Sequence, residues 1–237
     1  MNYRFIQNVQ IEWEKIENYS YLRRIPALQF EGNLSFIENV TFFVGENGTG
    51  KSTLLEAIAV AYGFNPEGGS RNYNFSTYDS HSELHNAIRL GKGIHKPQWS
   101  YFLRAESFYN VATKEEEYAD WDHPSKKYHE KSHGESFLAL AQGSFRPNGL
   151  YLLDEPEAAL SPQRQLTLLI EIDKLAKQGA QFIIASHSPI LLGIPGAQIL
   201  SFDDGVIHEC DYLETESYQV TEMFINNREY LLRRLLE

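Results

Sequence analysis

Gly45-Glu46-Asn47-Gly48-Thr49-Gly50-Lys51-Ser52 matches G-x-x-x-x-G-K-[ST] at every fixed position, and its flanks supply the context that the pattern needs. Val40-Thr41-Phe42-Phe43-Val44 before it is a β-branched and aromatic run, which predicts a strand. Thr53-Leu54-Leu55-Glu56-Ala57-Ile58-Ala59-Val60-Ala61 after it holds good helix formers, which predicts a helix. Strand, glycine loop and helix in that order turn backbone N–H groups toward one point, where the helix N-terminus adds partial positive charge. Such a loop accepts phosphate. Lys51 is placed to bridge β and γ phosphates, and the Ser52 hydroxyl to ligate Mg²⁺. The candidate nucleotide contacts are Gly45, Glu46, Asn47, Gly48, Thr49, Gly50, Lys51, Ser52 and Thr53.

A second feature supplies carboxylates. Leu150-Tyr151-Leu152-Leu153-Asp154 is an almost continuous apolar run ending in an acid, the pattern of a strand buried on both faces of a parallel sheet. Its C-terminal end faces the crevice where a metal is held, so Asp154 is the candidate for Mg²⁺ and Glu155 for activating water. An acidic pair ending a strand also suits a solvated cap or turn. Ser161-Pro162 then predicts a helix start, with the helix running to about Gln178 and Gly179 ending it. Gln181-Phe182-Ile183-Ile184-Ala185 predicts another buried strand, and this alternation implies right-handed crossovers.

Elsewhere the reading is coarser. Phe5-Ile6, Val9-Gln10-Ile11 and Ala27-Leu28-Gln29-Phe30 suit strands of a partly exposed antiparallel sheet, His81 to Leu90 suits a helix, and Trp99 to Glu106 suits a strand. Gly63 to Ser80 reads as irregular, Lys114 to Lys131 as a mobile excursion, and Ser136 to Ala141 as a helix start. Asp204-Gly205 between Ile199-Phe202 and Val206-Glu209 signals a hairpin.

Composition bounds the rest. With 237 residues, 42% apolar and 13% aromatic, one domain buries roughly 70 to 75% of the surface its unfolded chain exposes. Lys and Arg total 21 against 32 Asp and Glu, a net charge of −11, which argues against coating nucleic acid through bulk charge but leaves local contacts open. Cys210 is the one cysteine, so neither an internal disulfide nor a multi-cysteine zinc site forms. Without a signal peptide or an apolar run of eighteen residues, the expectation is a cytoplasmic protein with no integral membrane segment.

The loop at 45–52, Ser132-His133-Gly134-Glu135-Ser136 before a helix, Leu152-Leu153-Asp154-Glu155, Ser161, and His187 at a strand end occur in an order that resembles the ATP-binding cassette ATPases. The intervals are similar too, with 22 positions from Ser132 to Asp154 and 32 from Glu155 to His187. More narrowly, Gly-Glu-Asn-Gly-Thr-Gly-Lys-Ser, Ser-His-Gly-Glu-Ser-Phe and Leu-Asp-Glu-Pro-Glu-Ala-Ala-Leu-Ser-Pro resemble the small stand-alone bacterial AAA-type ATPases related to RecF and SMC heads. The resemblance implies an α/β P-loop NTPase with an ABC-ATPase-like head. Its parallel core sheet, flanked by helices, takes residues 41–66 and 145–210. An N-terminal antiparallel sheet takes about 1–40, a small helical lobe about 80–144, and a C-terminal helix 217–237.

That resemblance also implies ATP with Mg²⁺ as cofactors and a homodimer that sandwiches nucleotide between one Walker A loop and the partner's signature residues Ser132, Gly134 and Glu135. His187 takes the switch role. Two residues compete for the place of the usual coupling glutamine on the metal side, Gln98 before the strand and Glu106 after it, and Glu106 is favoured because it follows the strand's C-terminal end. Tyr21 is a candidate for adenine stacking, or a core residue. The implied activity is ATP hydrolysis driving a conformational change on a macromolecule, DNA or an effector protein, in repair or phage defence. A transporter motor subunit and a slow nucleotide-dependent switch are the alternatives. Thr53 to Ser132 spans 79 positions, too few for an SMC-type coiled-coil arm. The segment from Thr221 to Glu237 suits a helix docked on the core or a partner-binding helix.

Overall fold

The computed structural model describes residues 4–70, 82–104 and 133–236. Two sheets organise them. The larger has seven strands, whose central five run parallel in the order β9 (Gln198–Ser201), β3 (Val40–Val44), β8 (Gln181–Ala185), β7 (Gly149–Asp154) and β6 (Trp99–Arg104). Two short antiparallel strands close its edges, β10 (His208–Glu209) beside β9 and β4 (Gly69–Ser70) beside β6. The smaller sheet is antiparallel, with β1 (Ile6–Ile11) between β2 (Leu34–Ser35) and β5 (Ile88–Lys92).

The continuous apolar runs became central strands because side chains point to both faces and both faces are covered. Every residue of β3, β7 and β8 is buried. Val40, Phe42, Tyr151, Leu153, Phe182 and Ile184 enter one core, shared with α2 (His133–Ser144), α3 (Pro162–Lys177) and α4 (Pro189–Leu192). Their neighbours Phe43, Leu150, Leu152, Ile183 and Ala185 enter a second core, shared with α1 (Lys51–Tyr62) and the small sheet.

Two buried glutamines join the sheets. Gln181 on β8 accepts from the backbone N–H of Phe5 and Ile6 at 2.8 and 3.0 Å and donates to the Ile6 carbonyl at 2.7 Å. Gln198 on β9 accepts from Ile37 N–H at 3.0 Å and donates to the Ser35 carbonyl at 3.2 Å. The Gln181 amide satisfies buried backbone groups that would otherwise cost about 1–3 kcal/mol apiece, whereas the backbone contacts of Gln198 are part-buried.

Some expectations are corrected. Ala27-Leu28-Gln29-Phe30 is not a strand: Pro26 fixes φ at the start of a 3₁₀ turn over Pro26–Leu28, closed by Gln29 N–H on the Pro26 carbonyl at 2.9 Å. Residues 82–90 are not a helix either. A 3₁₀ turn over Glu83–Asn86 leads into β5, where Ile88, Arg89 and Leu90 pair with Ile11, Gln10 and Val9. The segment expected to be a helical lobe therefore includes strands β5 and β6 as well as α2. Ser161 precedes α3 as expected, but its hydroxyl makes no cap hydrogen bond. The C-terminal stretch forms two helices, α5 (Glu216–Asn226) and α6 (Arg228–Leu236), and neither buries a residue. The expected excursion over 114–131 lies outside the described residues.

Candidate functional site

Sheet register gathers the site. Arg104 pairs with Asp154, Asp154 with Ala185, and Phe43 with Ala185. The last residues of β3, β6, β7 and β8 therefore lie together at one edge of the sheet, the C-terminal edge where parallel sheets place ligands.

The loop after β3 turns on glycines. Gly45 adopts φ +133°, and a Cβ there would lie 2.8 Å from Asp203 Oδ1. That same oxygen accepts from Glu46 N–H at 2.8 Å, so Asp203 fixes the loop's first turn. Gly50, the N-cap of α1, has φ +101°, and its Cβ would press to 2.9 Å from Ile25 Cγ2 beside Leu28. The Pro26–Leu28 turn thus packs under the loop. Both glycines hold conformations that other residues rarely adopt. Lys51, the first residue of α1, is buried and donates from Nζ to the carbonyls of Gly45 and Glu46 at 2.6 and 2.7 Å. Burial lowers its pKa, and the carboxylates of Asp203, Glu155, Asp154 and Glu46 oppose that lowering. The ammonium is held at the loop's mouth within a set of acids.

Ser52 Oγ donates to Asp154 Oδ1 at 2.8 Å, joining the loop to the end of β7. A hydroxyl and a carboxylate are the hard oxygen donors that Mg²⁺ prefers, and one or two protein ligands are its usual complement beside phosphates. The donor set therefore fits Mg²⁺. Asp154 Oδ2 lies 3.6 Å from Arg104 Nε, and Arg104 Nη1 lies 2.6 Å from Glu56 Oε2.

Glu155 follows with a left-handed backbone, φ 49° and ψ 52°. This conformation costs a non-glycine residue about 1–3 kcal/mol and clusters at functional turns. Its N–H remains bonded to the Ala185 carbonyl at 2.9 Å. The 3₁₀ turn Pro156–Ala159 that it caps carries Glu157, whose Oε1 accepts from Ser186 Oγ at 2.8 Å and His187 N–H at 2.5 Å. Desolvation raises the Glu157 pKa. His187 has its pKa lowered by burial and then by the Lys51 charge, against Glu155, Asp203 and Glu46, so the neutral imidazole is favoured. Among the described residues, His187 Nε2 is buried with no hydrogen-bond partner. An orphaned ring nitrogen beside a lysine and a phosphate-type loop has the character of a ligand contact.

A cavity of about 1030 Å³ opens beside the loop, lined by Val44 to Thr49, Ser186, His187, Asp203 and the first turn of α5. Gly134 and Glu135 do not line it. They face the turn after Glu155 and the first turns of α3 instead: a Cβ on Gly134 would lie 2.7 Å from the Ala159 carbonyl oxygen, and Glu135 pairs with Arg164 of α3 at 2.9 Å. Gln98 is exposed at the N-terminal end of β6, the opposite edge from Asp154. Tyr21 is exposed in a 3₁₀ turn and is not a core residue. Ser132 and Glu106 lie outside the described residues.

Asp203, Glu157, Arg104 and Glu56 are the site residues that the sequence reading missed. The repeated acid in Asp154-Glu155-Pro156-Glu157 was a visible signal for one of them. The others depend on contacts between segments distant in the chain.

A family model described as "AAA domain" matches residues 15–143, and one described as "AAA domain, putative AbiEii toxin, Type IV TA system" matches residues 135–193. The chain is 27% identical over 108 residues to structural maintenance of chromosomes protein 6 of Takifugu rubripes, covering 36% of this chain and spanning only 10% of that protein's length. It is 29% identical to the energy-coupling factor transporter ATP-binding protein EcfA2 of Clostridium acetobutylicum, across 94% of this chain and 89% of that one. Among solved structures, the SMC head domain from Thermotoga maritima aligns with a TM-score of 0.47 and 14% identity, over 87% of this chain and 98% of that one. The first family model alone takes in more than half of the sequence, and the strand–loop–helix at Lys51 sits within it: the chain belongs to the AAA-domain family of P-loop proteins.

Proposed function

We propose that this chain binds ATP with Mg²⁺ at residues 45–53 and hydrolyses it in a homodimer whose two subunits close on the nucleotide. The observation that carries the reading is the 2.8 Å bond from Ser52 Oγ to Asp154 Oδ1, which puts a hydroxyl and a carboxylate together beside a loop built for phosphate. Lys51 would leave the carbonyls of Gly45 and Glu46 to meet the β and γ phosphates. Glu155 would orient and deprotonate the attacking water, and neutral His187 would contact the γ-phosphate through its unpartnered nitrogen. Mg²⁺ held by Ser52 and Asp154, with Glu106 as a further metal-side group, would neutralise charge developing on the phosphates.

The dimer enters because Gly134 and Glu135, which with Ser132 make up the signature segment, pack against Ala159 and Arg164 and line no part of the cavity beside the loop. A second copy would bring that segment to the phosphates and complete the pocket. Closing and reopening would then act on a macromolecular partner, DNA or an effector protein. The likeness to EcfA2 supports a second reading, a transporter motor subunit, which co-purification with a membrane protein would favour.

The test is light scattering and labelled-ATP binding on two variants. Glu155→Gln should bind ATP, lose most hydrolysis and accumulate as a dimer, because the carboxylate is needed for water and not for phosphate. Lys51→Ala should lose ATP binding. A Glu155→Gln protein that hydrolyses ATP at the wild-type rate, or stays monomeric at saturating ATP, refutes the catalytic or the dimeric half of the reading.

A further inference from the structure

Five groups from four segments form a continuous row at the end of the parallel sheet. Ser52 Oγ donates to Asp154 Oδ1 at 2.8 Å, and Arg104 Nε stands 3.6 Å from the other oxygen of Asp154. Arg104 Nη1 lies 2.6 Å from Glu56 Oε2, and Glu56 Oε1 accepts from Ser82 N–H at 3.0 Å. Glu56 lies one turn beyond Ser52 on α1, and Arg104 ends β6 level with Asp154, so helix and sheet both fix the row. Asp154 and Glu56 are each 8% exposed, and a unit charge there is felt over several ångströms with little screening. Neither Arg104 nor Glu56 has a part in the nucleotide chemistry described above.

The two arms of Arg104 are unequal. Among the described residues, its close contact is with Glu56, the same nitrogen reaches the Pro66 carbonyl at 3.5 Å, and its Nε stands farther from the carboxylate assigned to the metal. A guanidinium in that position opposes a second cation at Asp154, and Glu56 offsets this by drawing the guanidinium to itself. We infer that Arg104 is a positioning residue that sets the Mg²⁺ affinity of the Asp154–Ser52 site, with Glu56 setting how strongly Arg104 acts. The inference rests on the ATP and Mg²⁺ reading and deepens it.

The sign is specific. Removing the positive charge should tighten Mg²⁺, and removing the charge that restrains it should weaken Mg²⁺. A merely structural role would not move the two variants in opposite directions. Fluorescently labelled ATP is titrated with MgCl₂, and the midpoint is the Mg²⁺ concentration at half-maximal binding. Arg104→Met should lower the midpoint about tenfold and Glu56→Gln should raise it roughly threefold, while Arg104→Lys, which keeps the charge, should stay within about twofold of wild type. Thermal melting confirms that each variant folds. Should Arg104→Met not melt cooperatively, the Glu56→Gln midpoint decides alone.

Unmoved midpoints, or shifts of the two variants in one direction, overturn the inference while leaving the nucleotide site intact. Failure of the wild-type chain to bind labelled ATP in either EDTA or saturating MgCl₂ overturns the nucleotide reading, and this inference with it.

Discussion

Glu157 holds together two turns that leave adjacent strands, through single oxygen contacts to Ser186 Oγ and His187 N–H. Its second carboxylate oxygen is buried without a partner among the described residues, and desolvation raises its pKa. The folded chain therefore keeps the proton more tightly than the unfolded chain does. As pH rises past the ordinary carboxylate range, the unfolded chain ionises first, so this side chain costs stability above that range and nothing well below it. Glu157→Gln keeps an acceptor for both donors and removes the ionisation. It should raise the melting temperature more at pH 8 than at pH 4, and an equal shift at both values would contradict the buried-carboxyl account.

At the scale of elements, β7 shows how a strand becomes indispensable to a site beyond its last residue. Leu153 is fully buried immediately before Asp154. Leu153→Ala should cost about 2–5 kcal/mol in urea unfolding, from lost burial plus the cavity left behind. Ile170→Ala, at a position 63% exposed on α3, should cost within about 0.5 kcal/mol. Comparable losses at both positions would contradict this packing.

The sequence was most legible at such elements. The strands at 40–44, 149–154 and 181–185 and the helix at 162–177 announced themselves because burial on both faces demands unbroken apolar runs and helix ends demand particular residues. Of the candidate site, the loop at 45–52 and the Asp154-Glu155 pair were readable for the same local reasons. The stretch at 88–92 was not, because Ile88-Arg89-Leu90 becomes a strand only through pairing with β1, about eighty residues earlier. Ala27–Phe30 misled through its apolar alternation, while Pro26 ahead of it decided the backbone. Arg104 and Asp203 carry no local signal, since each acts on a partner distant in sequence.

For the whole molecule, the large sheet carries the loop, Asp154 and His187, whereas the small sheet covers α1 and the second core. No hydrogen-bonded ladder joins the two sheets among the described strands. Their polar connection is through Gln181 and Gln198, each an amide rooted in a central strand and grasping the backbone of the other layer. Two amide protons, those of Phe5 and Ile6, accordingly depend for protection on one side chain. In deuterium-exchange mass spectrometry, Gln181→Ala should speed uptake in the N-terminal peptide while the peptide over 149–154 keeps its pace. Uptake rising equally in both would mean that the layers melt as one, with no seam between them.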